Sequence, residues 1–460
     1  MPAVQIPSRS ARAAVIVSTA WLALVLAGPS ARASDAGPHA FTNAVLIDGT
    51  GSPAVEHATV VIRGEKIETA GPSASVQIPR GASVTDLHGK VLMPGLADMH
   101  VHLVGGWDGH ATDMLGYRRY LNALLYAGVT TVLDTGNVQP YIVQMRAEVA
   151  AGRLPGPRIY CVGPLIDGAD PVWPPLSYSV PSVSQVPAVV TALKRDHVDL
   201  IKGYVGLSHP VLQRLVEEGR KVSLRVIVDQ WERNGSHDLV EDGIYGFAHL
   251  PTRAMTASDV SFMKAHGTVF ISTLVVYESF SRRRLRDLAF LQEPLVRDTS
   301  PPSSLEGLKA EAARKLSSAE EEKTQRWAGY LRDAMANAQL LYHADVLLAA
   351  GTDANYPGDM QGEGLHRELE LLVEAGLTPL EAISIATRNA ARLIGASDWG
   401  TIEPGKLATL IVIDGRPDRD ISQSRRIVSV FVRGKRIDRD SLRLARHNDP
   451  GFEPISPSDF

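Results

Sequence analysis

The chain has 460 residues, with 47 lysines and arginines against 51 aspartates and glutamates, one cysteine and 44% apolar residues. Apolar content near the globular average excludes a disordered or fibrous protein, and a formal net charge of -4 leaves no basic excess for nucleic acid. The single cysteine, Cys161, excludes an internal disulfide and a thiolate metal cluster, so any metal must be held by His, Asp, Glu or Lys.

Arg9 and Arg12 precede the apolar run 13–28, and Ala31-Arg32-Ala33 follows as a small-x-small cleavage pattern. Residues 1–33 are therefore expected to be a signal peptide, and the mature chain to be exported, periplasmic or secreted. The run is shorter than the roughly 20 residues that span a bilayer, so no membrane attachment is expected after cleavage.

Residues 40–94 read as short strands, AFTNAVLIDGTG, ATVVIRGEKIETAG and SVTDLHGKVLMPG, broken by Asp-Gly, Arg-Gly and His-Gly turns. The same texture returns in KLATLIVIDG and RRIVSVFVRGKRI. Segments 40–94 and 396–440 are expected to form one discontinuous β-sandwich domain around an inserted middle. That middle, 95–395, alternates apolar strands with helical stretches. The strands are expected at 96–103, 128–134, 157–162, 199–204, 224–229, 244–249, 268–273 and 346–353. Helices are expected in DMLGYRRYLNALLYAG, in PVLQRLVEEGRKV and along the charged stretch 303–342. Eight α/β units predict a (β/α)8 TIM barrel rather than an open doubly wound sheet, since no Gly-rich phosphate loop follows the first strand. Residues 441–460, rich in Asp, Pro and Ser, are expected to be a loosely held tail.

Polar residues at the ends of these strands carry the functional signal. In LADMHVHL a period of two puts Asp98, His100 and His102 on one face. Two imidazoles at a C-terminal strand end are either a metal-ligand pair or hydrogen-bonded core histidines. DLIKGY places Lys202 with Tyr204 on the same face. A buried ammonium is costly unless paired, so Lys202 is either ion-paired to a carboxylate such as Asp98 or Asp353, or carboxylated and able to bridge two metals. His249 closes GIYGFAHL, and Asp353 lies in AAGTDA, where a carboxylate can bind metal and accept a proton from water.

In this order and spacing, LIDGTG, GKVLMPGLADMHVHL, AGVTTVLDTG, DLIKGY, GIYGFAHL, AAGTDA, HRELELLVEAGLTPLEAISIATRNAARLIG and GTIEPGKLATLIVID make residues 40–437 resemble the metal-dependent amidohydrolase superfamily. The likeness is strongest to secreted imidazolonepropionase-like and prolidase-like members. It implies that His100, His102 and Asp353 hold one metal. It further implies that a carboxylated Lys202 bridges to a second metal, which also takes histidines from the fifth and sixth strands, His249 being the sixth-strand residue. The fifth strand departs from the pattern. Counted back from the turn at Gly243, LRVIVDQW places Asp229 where the family has histidine, and neither His237 nor Arg225 fits the strand tip. Carboxylate is a competent ligand, so Asp229 either serves the second ion or salt-bridges an unmodified Lys202, leaving one metal or none. Zinc is the expected metal, one or two ions per chain, with Lys202 N6-carboxylated in the bridged form.

The resemblance implies hydrolysis of a carbon–nitrogen amide bond, in a dipeptide, at a C-terminal peptide bond or in an N-acyl amino acid. The attacking group would be a metal-activated water, with Asp353 as general base. Tyr204 is either an oxyanion donor or a packed barrel aromatic. Trp173 and Tyr178 either wall the pocket or pack their loop, and His366 is read as a capping or packing residue. The alternatives are an esterase or lactonase at the same site, or a degenerate binding protein if Asp229 abolishes the second metal site. A small-molecule or short-peptide substrate is expected, without nucleic acid, and a homo-oligomer is compatible with the sequence.

Overall fold

Short apolar strands separated by Gly turns build a sheet from both ends of the chain. In the computed structural model residues 37–104, 116–229 and 235–444 are described. The expected signal peptide, and the tail from residue 445 onward, lie outside them. The N-terminal strands are β1 (His39–Leu46), β2 (Val55–Arg63), β3 (Lys66–Pro72), β4 (Ser83–Asp86) and β5 (Val91–Pro94). The middle of the chain supplies β6 (Leu96–Val101), β7 (Val129–Asp134), β8 (Arg158–Cys161), β9 (Leu165–Asp167), β10 (Ser177–Ser179), β11 (Ile201–Gly203), β12 (Val226–Val228), β13 (Gly246–Phe247), β14 (Val269–Ile271) and β15 (Leu347–Ala349). The C-terminal part adds β16 (Leu410–Ile413), β17 (Ile427–Val432) and β18 (Lys435–Arg436).

The end segments join in one mixed sheet ordered β18-β17-β16-β5-β1-β2-β3, with β4 on β1. The seam is β5 against β16, antiparallel from Val91↔Ile413 to Pro94↔Leu410. Both strands are buried along their whole length, which their unbroken apolar sequences VLMP and LIVI permit. Phe41, Leu92, Leu410 and Phe431 lie in an apolar cluster of this sheet, with Phe41 and Phe431 edge to face at 5.0 Å.

The middle strands form two parallel sheets, one ordered β6-β7-β8 and the other β10-β9-β11-β12-β13-β14-β15. All eight expected strands are present, each shorter than expected. Parallel strands alternating with helices fit a fold of TIM-barrel type. Along β6 the expected strict alternation is interrupted. Its pairing with β7 shifts register between Leu96 and Ala97 and again between Asp98 and Val101, and Ala97 and Met99 join the same apolar cluster as Leu200 and Ile227. Strands β9 and β10 were not expected; each is three residues long, flanking the Pro-rich stretch after β8. The charged stretch from 303 to 342 forms two helices, Pro302–Ala313 and Ser318–His343. Ser317 and Glu320 make a capping box that restarts the second helix, each side chain taking a backbone N–H of the other. Among the described residues, no helix is long and apolar enough to cross a membrane.

His366, on the helix Glu363–Glu374, ties this helix to the C-terminal segment. Its Nε2–H donates to Ala127 O at 2.9 Å and its Nδ1 accepts from Ser424 Oγ at 2.8 Å, so it packs as expected and is neutral. Burial, with the Arg425 charge nearby, lowers its pKa from 6.5 to about 4. The unfolded chain therefore binds a proton as pH falls through 6.5, whereas the folded chain does not until about 4. The stabilisation is complete above 6.5 and lost between these values, about 3 kcal/mol in all. Thermal unfolding of His366→Gln from pH 7 down to 4 should show a shallower fall in Tm than the parent chain; an equal fall would assign the acid sensitivity to other groups.

Candidate metal centre

The polar residues that mark the strand ends in the sequence all sit at or just beyond the C-terminal ends of the parallel strands. His100 is on β6 and Lys202 on β11; Asp229 directly follows β12, and His249 and Asp353 lie just beyond β13 and β15. The fold brings them together. Asp353 Oδ1 is 3.5 Å from His100 Nε2 and 3.2 Å from His102 Nε2, and its Oδ2 is 4.0 Å from His249 Nε2. Asp229 Oδ2 is 3.1 Å from both Lys202 Nζ and His249 Nε2, while Lys202 Nζ is also 3.1 Å from His100 Nε2. His100, His249 and Asp353 each offer a ligand atom within 4.8 Å of the others, so this group could hold a metal ion. His102 adjoins it through Asp353.

Local backbone geometry explains the convergence. A Cβ on Gly351 would stand 2.7 Å from His100 Cβ and 2.9 Å from His100 N, so glycine alone lets the residues after β15 lie against β6. There Asp353 N donates to His100 O at 2.7 Å. Asp353 (φ 64°) and Thr273 (φ 42°) both occupy the left-handed region. For a β-branched threonine this is strained, and such strain clusters at functional sites.

Each imidazole is aimed by its other nitrogen. His100 Nδ1–H donates to Ala248 O at 2.9 Å and His102 Nδ1–H to Gly136 O at 2.8 Å, which turns both Nε2 lone pairs inward. His249 Nδ1 pairs with Thr273 Oγ1 at 2.7 Å. Asp134, at the end of β7, fixes the Gly136 turn by accepting from Gly136 N, Leu103 N and Asn137 Nδ2. Asp98 accepts from Thr352 Oγ1 and N at 2.8 and 3.0 Å, and burial pushes its pKa up to about 7. Thr273, Asp134 and Thr352 escaped the sequence reading. Their common signal is a polar residue at the end of an apolar strand, the feature that marked the ligands themselves.

The electrostatics suit a cation-binding donor set. Burial, then the Lys202, His249 and His102 charges, holds His100 well below the usual imidazole range, so it is neutral and can donate a lone pair. Burial opposes charge on His102, but the hydrogen bond and charge of Asp353 outweigh it and raise its pKa. Burial likewise opposes ionisation of Asp229, yet His249 and Lys202 beside it hold the carboxyl well below its ordinary range. Lys202 thus pairs with Asp229, not with Asp98 or Asp353. Asp98 is committed to Thr352 and Asp353 to the histidines. Asp229 Oδ1 is buried and has no hydrogen-bond partner among the described residues. A buried carboxylate oxygen left unpaired beside imidazoles is an acceptor that fits a divalent ion.

Tyr204 is 9% exposed, its ring 5.8 Å from Lys202 Nζ, and its oxygen accepts from Trp173 Nε1 at 2.9 Å. Trp173 therefore reaches a site residue, whereas Tyr178 on β10 is 39% exposed.

Residues 91–437 match the model of the amidohydrolase family. The chain is 26% identical over 382 residues to an imidazolonepropionase of Shouchella clausii, spanning 78% of this chain and 80% of that protein. It is 24% identical over 446 residues to an ochratoxinase of Aspergillus niger, spanning 85% of each. Among solved structures, a Xaa-Pro dipeptidase with bound methionine superposes with a TM-score of 0.69 at 22% identity, over 87% of this chain and all of that one (100%). With the family model matching most of the chain, and with His, His and Asp poised for a metal at the strand ends, the chain belongs to the amidohydrolase family, hydrolases that act on carbon–nitrogen bonds.

Proposed function

We propose that the protein is an exported, metal-dependent amidohydrolase that cleaves a peptide-like amide, in a dipeptide, at a C-terminal peptide bond or in an N-acyl amino acid. The observation that carries this reading is the convergence of His100, His249 and Asp353 within 4.8 Å. Likeness to a Xaa-Pro dipeptidase supports a short-peptide substrate. The leader pattern at 1–33 supports export. A closed eight-stranded barrel is supported by two backbone bonds that join the parallel sheets: Asp199 N to Cys161 O at 2.8 Å, and Met99 N to Ala350 O at 2.9 Å. For the domain proposed as a β-sandwich at 40–94 and 396–440, the support is the single sheet that joins both segments and an apolar cluster of that sheet.

His100, His102, His249 and Asp353 would hold a divalent ion, with zinc favoured by the nitrogen-rich donor set. A bound ion supplies a more acidic water and a polarised carbonyl. The chain does the rest. Asp353 accepts the proton of the attacking water at its carboxylate and returns it to the leaving nitrogen. Tyr204 donates to the oxygen on which charge builds as the carbonyl carbon turns tetrahedral. The apolar walls around the site exclude bulk water and so strengthen both interactions. A second ion follows from carboxylation of Lys202. The ammonium would first give up one proton, and the neutral amine would then add carbon dioxide with loss of a second, leaving a carbamate. The carbamate and Asp229, with its unpartnered Oδ1, would then be the carboxylates able to hold that ion.

Asp353→Asn should lower turnover of dipeptides and N-acyl amino acids by about 10²–10⁴-fold while metal content is largely kept. Turnover at the parent rate would remove Asp353 from the role of base. Activity confined to aryl esters and lactones would favour the esterase reading. Asp229→Asn should strand a buried ammonium at Lys202 and cost about 3–5 kcal/mol, read as a lower Tm. An unchanged Tm would show that Lys202 is not charged in the resting protein.

A further inference from the structure

Strands β9 and β10 stand outside the eight expected strands, and they carry Trp173 between them. The loop that joins them is fastened from below by Asp167, which is fully buried at the end of β9. Asp167 Oδ1 accepts from Gly168 N at 2.9 Å and Gly206 N at 2.8 Å, and its Oδ2 accepts from Val172 N at 2.9 Å. One carboxylate therefore clamps the residue before Trp173 to a turn two residues beyond Tyr204. The approach is too close for side chains. A Cβ at Gly206 would meet Asp167 Oδ1 at 2.5 Å, and one at Gly168 would meet Gly206 O at 2.1 Å. Ser179 Oγ closes the loop on Gly168 O at 2.8 Å, and Tyr204 N is held by Ile166 O at 2.8 Å. Both partners of the 2.9 Å bond from Trp173 Nε1 to Tyr204 Oη thus hang on the same short strand, β9.

The geometry points to Trp173 as a positioning residue whose indole N–H turns the Tyr204 hydroxyl proton toward the reacting carbonyl oxygen. The chemistry of the two groups forces this direction. Indole nitrogen is a donor only, so the phenol oxygen is the acceptor in their bond, and its single proton must leave along another bearing. A donor aimed before substrate arrives needs no reorganisation at the moment of reaction. The inference rests on the proposed role of Tyr204 in amide hydrolysis.

The test is a double-mutant cycle on the full-length protein with Trp173→Phe, Tyr204→Phe and the pair, following kcat and KM on an amide substrate. Trp173→Phe keeps the aromatic ring and removes only the N–H. Tyr204→Phe should lower kcat about 10²–10³-fold. Trp173→Phe should lower kcat about tenfold with KM little changed, as loss of one orienting hydrogen bond implies. In the Tyr204→Phe background the tryptophan substitution should cost nothing further, because the proton it aims is gone. The indole N–H stretching-sensitive Raman bands, isolated as wild type minus Trp173→Phe, should shift on Tyr204→Phe whether or not a substrate is turned over. Equal kcat in Trp173→Phe and the parent, additive losses in the pair, or no Raman shift would each overturn the inference. Failure of the functional reading looks different: the parent hydrolyses no amide, as Asp353→Asn does, while the Raman shift persists.

Discussion

A buried ion pair sets the terms for this site. Lys202 is 1% and Asp229 2% exposed, and they meet at 3.1 Å. Two charges taken out of water regain their hydration only through each other and their remaining neighbours. Here those neighbours are His249 on the carboxylate and His100 on the ammonium. Removal of either Lys202 or Asp229 leaves the other a buried charge without its counterpart. The pair also ties four residues from separate strands into one electrostatic unit, so the strand ends must close on it in register.

The shell around that unit converts burial into direction. Backbone carbonyls of Ala248 and Gly136 and the Thr273 hydroxyl take the outer nitrogens of the three histidines. Their inner nitrogens then face Asp353 and Asp229. The cost of this arrangement appears in the backbone, where Thr273 and Asp353 are both held at positive φ. Folding energy from the surrounding apolar clusters sustains that strain. The outcome is a donor set of imidazoles and carboxylates with one oxygen, Asp229 Oδ1, still unsatisfied among the described residues.

Much of this was legible in the sequence, and the reason is physical. Unbroken apolar runs such as VLMP, LIVI and LLAAG leave little choice but buried strands, and a charged residue at the end of such a run has few structural explanations. His100, His102, Lys202, His249 and Asp353 stand out on that basis, whereas the departure at Asp229 shows only against the family pattern. Pairing was not legible. Nothing local distinguishes Asp229 from Asp98 or Asp353 as the partner of Lys202, because the choice depends on Thr352 engaging Asp98 from the far end of the barrel segment, 254 residues away. Strands β9 and β10 were hidden for a different reason. Three-residue strands beside several prolines carry no periodicity, and they exist because Asp167 and neighbouring strand β11 hold them. Thr273 was equally silent, since its value lies in one hydrogen bond made by a strained residue.

The measurement closest to the central claim is the number of metal ions bound per chain, determined on the purified protein as isolated and again after incubation with zinc or manganese in the presence of bicarbonate. If Asp229 stands in for the usual imidazole as a ligand and Lys202 accepts carbon dioxide, about two ions per chain should be bound after incubation. If no ion is retained under either condition, the cluster of His100, His249 and Asp353 is a structural polar core, and metal-dependent hydrolysis at this site is contradicted.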